Sequence, residues 1–427
     1  MSLLRRHRDF RLLWIGETVS RFGSAVTTVA LPLLAISALE ATSFEVGLLT
    51  AAAWFPWLLI GLPAGAWVDR LPHRPMMLTA SAASFLLLAS VPVVVAFDAL
   101  TIHLLLVLAV LTGMAAVFFQ TAYTAYLPTL LESADHAEGN AKLHGSAAAA
   151  QIAGLGCGGL VVQFAGPVNA LLVDALTFLL ALACLAAIRF RERPPTGEQR
   201  SGIRAGLDLV AKDVWLRTLT VFGAVSNLAL MGYQSIVVVF LVREVGLTPG
   251  AVGGLVAAAA GGGVVGAFAG RRLAARFGTA RAMLLCELGL PSLALLIPLS
   301  TTSPVFYLVG AFGVGVGVVG GNVIKATFQQ SYCPPDLLGR LTATSSFVNY
   351  GTIPLGALLG GTLGELLGLG PALWITTAGV PLAGLVLLLS PIRGRRDLPT
   401  HQLGGAEDHQ GSKAESVSTD SSRVRTD

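Results

Sequence analysis

Long apolar stretches alternate with short polar connections along most of the chain. A helix needs about 20 apolar residues to cross the hydrocarbon core of a membrane. The first stretch follows three arginines but lacks the small-residue cleavage site of a signal peptide, so it is expected to be retained. The pattern predicts twelve membrane-spanning helices. They lie near residues 10–39, 44–68, 76–97, 101–126, 142–165, 167–188, 217–242, 248–270, 280–299, 304–330, 338–366 and 370–391.

The composition agrees with a chain that has lipid as its main solvent. Of the 427 residues, 54% are hydrophobic and 12% are charged, whereas soluble domains carry about 25% charged residues. The mean hydropathy is +0.73. This fraction of charged residues is too small to cover the surface of even one large soluble domain. The composition therefore excludes a soluble or a disordered protein.

The formal net charge of +4 comes from short basic clusters rather than from one continuous stripe. A nucleic-acid-binding protein gathers its positive charge on one face, so no nucleic acid partner is predicted. When the helices are threaded across a membrane, the clusters fall on one side, which the positive-inside bias makes cytoplasmic. Both termini are therefore expected in the cytoplasm, with lipids around the helices. The clusters contain Arg5, Arg6, Arg8, Arg70, Arg74, Arg189, Arg217, Arg271, Arg272, Arg276, Arg281, Arg340, Arg393, Arg395 and Arg396.

A polar connection near the middle divides the chain into two halves. We predict an N-terminal six-helix bundle at 1–188, a cytoplasmic linker at 189–216, a C-terminal six-helix bundle at 217–392 and a disordered cytoplasmic tail at 393–427. The tail has too few apolar residues to order itself by burial. In the linker, apolar residues recur at helical spacing opposite charged ones, which predicts a short amphipathic helix on the membrane surface. These apolar residues are Ile203, Leu207, Val210 and Val214.

The second half of the chain repeats features of the first. Identical residues recur at a constant displacement of 206 positions. Two six-helix halves in parallel repeat imply a pseudo-two-fold axis along the membrane normal, with a binding site near the midplane between the halves. The pairs are Arg70 and Arg276, Tyr126 and Tyr332, and Pro128 and Pro334.

One loop carries a recognisable motif. The segment from Gly65 to Arg74, which reads GAWVDRLPHR, resembles the signature of the major facilitator superfamily between helices two and three. Further segments resemble the branch of that superfamily that contains macrolide-efflux and enterobactin-exporter-like proteins. The similarity extends over roughly residues 5–395. These segments lie at 8–33, 126–143, 173–181 and 333–343.

The resemblance implies an all-α membrane protein with twelve helices in two pseudo-symmetric bundles, which works as a secondary transporter by alternating access. It implies export of a small-molecule substrate across a bacterial cell membrane, with a proton as coupling ion, and a protein that is not an enzyme. We expect a monomer. It also implies a gating role for Gly65, Asp69, Arg70 and Arg74. The equivalent of Asp69 resembles a latch that closes the cytoplasmic side against the positive end of the helix-eleven dipole.

Helix one carries the clearest polar pattern inside an apolar stretch. Five polar residues form one stripe, because positions three and four apart lie on the same face of a helix. Ionic groups at this depth almost always face a cavity or pair with one another, so we assign Glu17, Arg21 and Ser24 to substrate binding or coupling. The alternative is a purely structural ion pair within the helix. The stripe consists of Glu17, Ser20, Arg21, Ser24 and Thr28.

Shorter polar groups recur in helices four, seven, ten and eleven. In the superfamily, helices one, four, seven and ten line the central cavity, so the resemblance places most of these groups at one site. They complete the predicted substrate or coupling set. The added residues are Gln120, Tyr123, Asn227, Gln234, Asn322, Lys325 and Asn349.

Two carboxylates are candidate proton carriers. Burial in lipid favours the uncharged form of a carboxyl group, which allows it to exchange a proton near physiological pH. Glu17 is the first candidate, because Arg21 can hold it ionised until substrate competes for the pair, and Asp174 in helix six is the second. Glu287 and Glu365 also lie within apolar stretches and receive no role. Helix four lacks the arginine that drug–proton antiporters of the superfamily often carry, so proton coupling rests on analogy.

The sequence therefore predicts proton-coupled efflux of a small amphipathic or apolar compound. The alternative within the same class is export of a siderophore or another endogenous metabolite, whose anionic charge requires a cationic cavity around Arg21 and Lys325. The alternative of another class is a membrane-embedded enzyme or a non-transporting sensor. No cofactor is predicted. The four cysteines lack CxxC spacing and a disulfide framework, so no metal site is predicted either.

Overall fold

The computed structural model describes residues 3–68, 71–190, 208 and 210–399. Within these ranges the chain forms helices joined by short connections, and no strand occurs in them. Asp69 and Arg70 of the predicted gating motif lie outside the described residues, as do most of the predicted amphipathic helix and the chain after residue 399.

Twelve long helices follow one another in the described ranges, in the order that the apolar stretches predict. All except α11 contain a window apolar enough to cross a membrane, and α11 is long enough but has a more polar first half. The all-helical, twelve-helix fold class is thereby confirmed. The helices are α1 Arg8–Leu39, α2 Ser43–Val68, α3 His73–Ala96, α4 Ile102–Leu130, α5 His136–Ala165, α6 Pro167–Ala186, α7 Val214–Arg243, α8 Pro249–Phe277, α9 Thr279–Thr301, α10 Pro304–Tyr332, α11 Pro335–Leu367 and α12 Leu369–Leu388.

Several helices begin at a side chain that accepts hydrogen bonds from their first backbone N–H groups. These groups have no partner inside the helix, and a Thr or Asp just before the first turn supplies one. Asp213 caps α7 by accepting from Trp215 N at 2.8 Å and Leu216 N at 3.0 Å. Thr101 and Thr248 cap α4 and α8 in the same way. The local sequence therefore determines where these helices begin.

The same helix pairings occur in both halves of the chain. In the first half, α1 packs against α5 and α6, and α4 packs against α2 and α3. In the second half, α7 packs against α11 and α12, and α10 packs against α8 and α9. Each pairing recurs six helices later, which matches the internal repeat of the sequence. We call the face with the start of α1 and the end of α12 the terminal face, and the opposite face the distal face.

Two long interfaces join the halves, one between α2 and α11 and the other between α5 and α8. Glycines allow close approach near the distal face, where Gly47 lies against Gly361 and Gly159 lies against Gly253. Gly250 N donates to the Gln163 side chain at 3.0 Å in the same region. The halves are thus in backbone contact at the distal face.

The hydrophobic cores show how far this contact extends. One core contains residues of both halves and includes Leu34 of α1 and Phe240 of α7. Two further cores lie toward the terminal face, and each belongs to one half, with Tyr126 in the first and Trp215 in the second. The halves therefore share one core toward the distal face and have separate cores toward the terminal face.

Helix α9 is irregular, whereas the sequence predicts a regular helix over 280–299. Pro291 has no N–H to donate, and its ring clashes with the carbonyl group four residues earlier in a regular helix. The chain accommodates this proline with a wider turn that carries Glu287, and such turns are frequent at functional sites. The segments of α9 are α-helical at Thr279–Leu284, π-helical at Leu285–Gly289 and 3₁₀-helical at Pro291–Thr301.

The chain after α12 docks against the start of α9. Asp397 Oδ1 accepts a hydrogen bond from Thr279 N at 2.9 Å, and Leu398 N donates to Thr279 Oγ1 at 2.8 Å. Leu398 is buried in the terminal core of the second half. Residues 393–399, predicted to belong to a disordered tail, are instead held by these contacts, because Asp397 caps a helix start and Leu398 enters an apolar pocket.

Candidate functional site

The polar stripe of α1 contains a contact ion pair. Arg21 Nε donates to Glu17 Oε1 at 2.6 Å, one helical turn away, and Arg21 Nη2 donates to Gln120 Oε1 of α4 at 2.8 Å. Glu17 is only 7% exposed. Hydrogen bonds between ionised groups are shorter and stronger than neutral ones. The pair therefore stabilises the Glu17 charge and fixes α1 against α4.

A cavity of about 370 Å³ lies beside this pair, and we call it the N-terminal cavity. A space of about 260 Å³ continues it toward the terminal face and shares Glu17, Arg21 and Gln120 with it. The predicted residues Ser24 and Tyr123 line the first and second spaces respectively. The wall combines hydroxyl, amide and ionic groups with aromatic rings. Its other members include Ser20, Thr27, Thr28, Trp54, Trp57, Ser81, Ser84, Phe119, Asp174 and Phe178.

Asp174 of α6 lies in the wall of the N-terminal cavity and is 2% exposed. Its carboxyl group accepts hydrogen bonds from Thr27 Oγ1 at 2.5 Å and from Thr177 Oγ1 at 3.1 Å. A Cβ at Gly23 would overlap this carboxyl group, so α1 approaches α6 through a glycine. Asp174 forms no ion pair with the described residues. Hydroxyl groups can donate or accept, so this site suits either protonation state of the carboxyl group.

The second half holds a separate cavity of about 240 Å³, which we call the C-terminal cavity. The predicted residues Asn227, Asn322, Lys325 and Asn349 line it, from α7, α10 and α11. Asn227 Nδ2 donates to the Asn349 carbonyl oxygen at 3.2 Å. The side-chain oxygen of Asn349 is buried beside Gly223 and has no hydrogen-bond partner among the described residues. This oxygen is packed against α7 and is not exposed to the cavity.

Glu287 enters the C-terminal cavity, although the sequence predicts no role for it. It is 4% exposed and lies against Gly321 of α10, where a Cβ would overlap its carboxylate. Lys325 follows Gly321 by one helical turn and interacts electrostatically with Glu287. The signal in the sequence is an acidic residue within an apolar stretch, and such a residue does not by itself identify its partner.

Gln234 is the predicted site residue that lines neither described cavity. Asn227 and Gln234 are seven residues apart, so they share a face of α7, but Gln234 lies about 10 Å nearer the distal face. The C-terminal cavity ends before that depth, at Leu230. The side chain of Gln234 is exposed, whereas its neighbours Tyr233 and Ser235 are buried.

An aromatic cluster connects the two cavities. Tyr350 of α11 lines the C-terminal cavity. Its ring lies 5.1 Å from that of Trp57 and 6.0 Å from that of Trp54, measured between centroids. Both tryptophans belong to α2 and line the N-terminal cavity. A molecule between the halves can therefore contact both walls through one apolar surface.

Arg74 of the predicted gating motif closes the end of another helix. Its guanidinium group donates to the Leu185 carbonyl oxygen at 3.2 Å and to the Ala186 carbonyl oxygen at 2.7 Å, at the C-terminus of α6. A cation there complements the negative end of the helix dipole. Gly65 lies near the end of α2. Among the described residues, no group of three His, Cys, Asp or Glu side chains could hold a metal ion.

Comparison with known proteins gives a consistent result over most of the chain. The sequence profile of the Major Facilitator Superfamily matches residues 13–357. The multidrug efflux pump Tap of Mycolicibacterium fortuitum is 27% identical over 404 residues, which cover 91% of this chain and 97% of that protein. The multidrug efflux pump Tap of Mycobacterium bovis is 28% identical over 402 residues, which cover 91% and 94%.

Solved structures share the fold at low sequence identity. A mutant form of the nucleoside transporter NupG aligns with a TM-score of 0.75 at 12% identity, covering 89% of this chain and 99% of that one. A bacterial homologue of the iron transporter ferroportin, 16% identical, aligns over 91% of this chain in two states. The TM-score is 0.72 for its inward-facing state and 0.59 for its outward-facing state.

Proposed function

The chain belongs to the Major Facilitator Superfamily, and from that premise we propose that it exports small amphipathic or apolar compounds from a bacterial cytoplasm by proton-coupled alternating access. Membership confirms the resemblance seen in the sequence and makes the chain a multi-pass membrane transporter rather than an enzyme. The relatives named as multidrug efflux pumps support export as the direction of transport.

One observation carries the proposal: each half holds a polar cavity, and the aromatic cluster of Trp54, Trp57 and Tyr350 joins the two cavities across the boundary between the halves. Alternating access by rocking requires such a site between two bundles. The ion pair of Glu17 and Arg21 offers polar contacts, and Trp54, Trp57 and Tyr350 offer apolar surface. This combination suits a compound that has an apolar body and a polar group.

For the orientation, we propose that the terminal face is cytoplasmic and that the protein resides in the cell membrane. The described arginines cluster at the terminal face, including Arg74, Arg271 and Arg281, and the positive-inside bias supports this assignment. In this orientation the ends of the two halves that have separate cores face the cytoplasm. A compound then reaches the cavities from the cytoplasm or from the adjoining lipid.

For the coupling ion, we propose a proton that is carried by carboxyl groups of the N-terminal cavity. Glu17 is in contact with Arg21, so it takes up a proton only when substrate or a conformational change breaks the ion pair. Asp174 has hydroxyl partners and can take up a proton without breaking an ion pair. A cationic group and a proton compete for the same carboxylate, and this competition supports an exchange mechanism.

The alternative cargo, an anionic siderophore or metabolite, requires an uncompensated positive charge in the cavity. Arg21 is paired with Glu17, and Lys325 faces Glu287. While Glu17 and Glu287 are ionised, their carboxylates therefore offset both of these positive charges. We favour the amphipathic or apolar compound for this reason.

Transport by the full-length protein in proteoliposomes tests the proposal, with ethidium as a cationic aromatic probe and fluorescein as an anionic one. An imposed pH gradient should drive ethidium against its concentration gradient, and an uncoupler should abolish that movement. The Glu17→Gln/Arg21→Gln variant, which removes both charges of the ion pair, is the matched control. It should lose most of the ethidium movement that the pH gradient drives. Selective movement of fluorescein would favour the alternative cargo. Movement of neither probe by folded protein would contradict the proposal.

A further inference from the structure

One buried carboxylate of the C-terminal cavity has no part in the function proposed above. Glu287 of α9 is 4% exposed and lines the cavity together with Asn322 and Lys325 of α10. An ionisable residue inside the membrane is energetically unfavourable and usually has a function. A structural acid in such a place is normally neutralised by a contact ion pair or by several hydrogen-bond donors.

The three buried carboxyl groups of the two cavities have different partners. Glu17 lies in a contact pair with Arg21, and Asp174 accepts hydrogen bonds from two threonine hydroxyls. For Glu287, the described residues supply neither a hydrogen bond nor an ion pair within 4 Å. Of the three carboxyl groups, that of Glu287 is therefore the one without a hydrogen-bond or ion-pair partner among the described residues. It lines a space large enough for several water molecules.

The position of Glu287 is nevertheless closely defined by packing. The π-helical turn of Leu285–Gly289 presents it to α10, and its carboxylate lies against Gly321. A side chain at position 321 would displace the carboxylate, so this arrangement requires a glycine there. The π-helical turn of α9 and the absence of a side chain at Gly321 of α10 together keep the Glu287 side chain at the cavity wall.

Lys325 is the charged group that faces Glu287. It projects from α10 one turn beyond Gly321 and interacts with Glu287 electrostatically. The Cys286 thiol of α9 also interacts with Glu287, and the backbone carbonyl of Glu287 lies against Gly384 of α12. The charge of the C-terminal cavity is therefore decided by Glu287 and Lys325 together.

We propose that Glu287 exchanges a proton with water in the C-terminal cavity and thereby switches the charge of that cavity. In the forward step a hydronium ion transfers its proton to a carboxylate oxygen, which forms an O–H bond and leaves water. The pair of Glu287 and Lys325 then changes from zero net charge to one positive charge. A cationic cargo is attracted less to the protonated site, so proton and cargo exclude each other. This coupling role rests on the proposed efflux function, whereas the proton exchange itself does not.

Infrared difference spectroscopy on the reconstituted protein, without any cargo, tests the proton exchange. Titration between about pH 5 and about pH 9 should show a carboxyl C=O band that disappears in Glu287→Gln and persists, shifted, in Glu287→Asp. Glu365→Gln removes an exposed carboxylate near the end of α11 and serves as the matched control. An identical band in wild type and Glu287→Gln would overturn the proposal.

Ethidium transport in proteoliposomes tests the coupling role. In Glu287→Gln, which keeps the cavity in its positively charged state, we expect accumulation driven by a pH gradient to fall about tenfold or more, and we expect the pH dependence of ethidium binding to weaken. Glu287→Gln preserves the shape of the side chain, and its melting temperature shows whether the variant is folded. Unchanged gradient-driven accumulation would overturn the coupling role.

The two measurements separate this proposal from the proposed function. If wild-type protein moves no ethidium, the efflux function fails, and the infrared titration still decides whether Glu287 exchanges a proton. Ethidium binding that keeps the wild-type pH dependence in folded Glu287→Gln would show that a proton on Glu287 does not exclude the cargo, and it would overturn the coupling role.

Discussion

Gly159 of α5 and Gly253 of α8 lie against each other across the boundary between the two halves, so that a Cβ on either would come within 2.7 Å of the other's Cα. Gly47 and Gly361 make the corresponding contact between α2 and α11. Small residues allow backbones to approach this closely in a membrane, where packing rather than the hydrophobic effect drives helix association. The two contacts hold the distal face closed in the described arrangement.

A larger side chain at this boundary should therefore open the distal face. In Gly253→Val, we expect fewer molecules to have the two halves in contact at the distal face and more to have them separated there. Thr28→Cys, placed in the N-terminal cavity of a protein without its four native cysteines, should then react several-fold faster with an impermeant maleimide added from the distal side. Gly254→Val is the matched control, because a Cβ at Gly254 meets nothing within 4 Å. Equal rates in the two variants would contradict this role for Gly253.

The ion pair of α1 should contribute to stability as a unit. Arg21→Gln leaves the buried Glu17 carboxylate without its cation, and the cost should be about 2 kcal/mol after allowing for the partial solvent exposure of Arg21. Glu17→Gln/Arg21→Gln removes both charges and should recover most of that loss. Thermal unfolding of the purified variants, followed by tryptophan fluorescence, checks the order of stability. A double variant that is less stable than Arg21→Gln would show that the pair does not act as a unit.

The contact between the chain after α12 and the start of α9 should protect the first turn of α9. Asp397→Ala removes the acceptor of the Thr279 N–H group, and losing a helix cap costs about 1 kcal/mol. We expect faster hydrogen exchange over Thr279–Leu284, measured by mass spectrometry. Asp397→Asn keeps a side-chain acceptor and should show a smaller change. The same acceleration in both variants would mean that the cap does not provide the protection.

The latch expected from the family resemblance leads to a kinetic prediction. Asp69→Asn should slow turnover while leaving substrate binding near wild type, because the charge closes one face rather than contacting cargo. Ethidium transport rates and stabilisation of the protein by ethidium against heat measure the two effects separately. A loss of affinity with an unchanged maximal rate would contradict the latch.

The site shows which residues can be predicted from the sequence. The stripe from Glu17 to Thr28 needed only the geometry of one helix, since residues three and four apart share a face wherever the helix lies. Asn322 and Lys325 were found by the same criterion. Glu287 was not, because its place at the cavity depends on the wide turn before Pro291 and on the gap at Gly321 of another helix. Gln234 shares a face with Asn227, but its depth on α7 places it beyond the cavity.

The sequence by itself determined the number, order and approximate ends of the helices, because in lipid every backbone polar group must be satisfied within its own segment. It also determined which side chains share a face of one helix. Only the tertiary structure decided which faces meet, that the halves touch toward the distal face, and that Glu287 and Lys325 share a cavity. These features depend on close packing between helices that are far apart in the chain. A helix that is apolar on nearly every side has no polar pattern to indicate which helices it contacts.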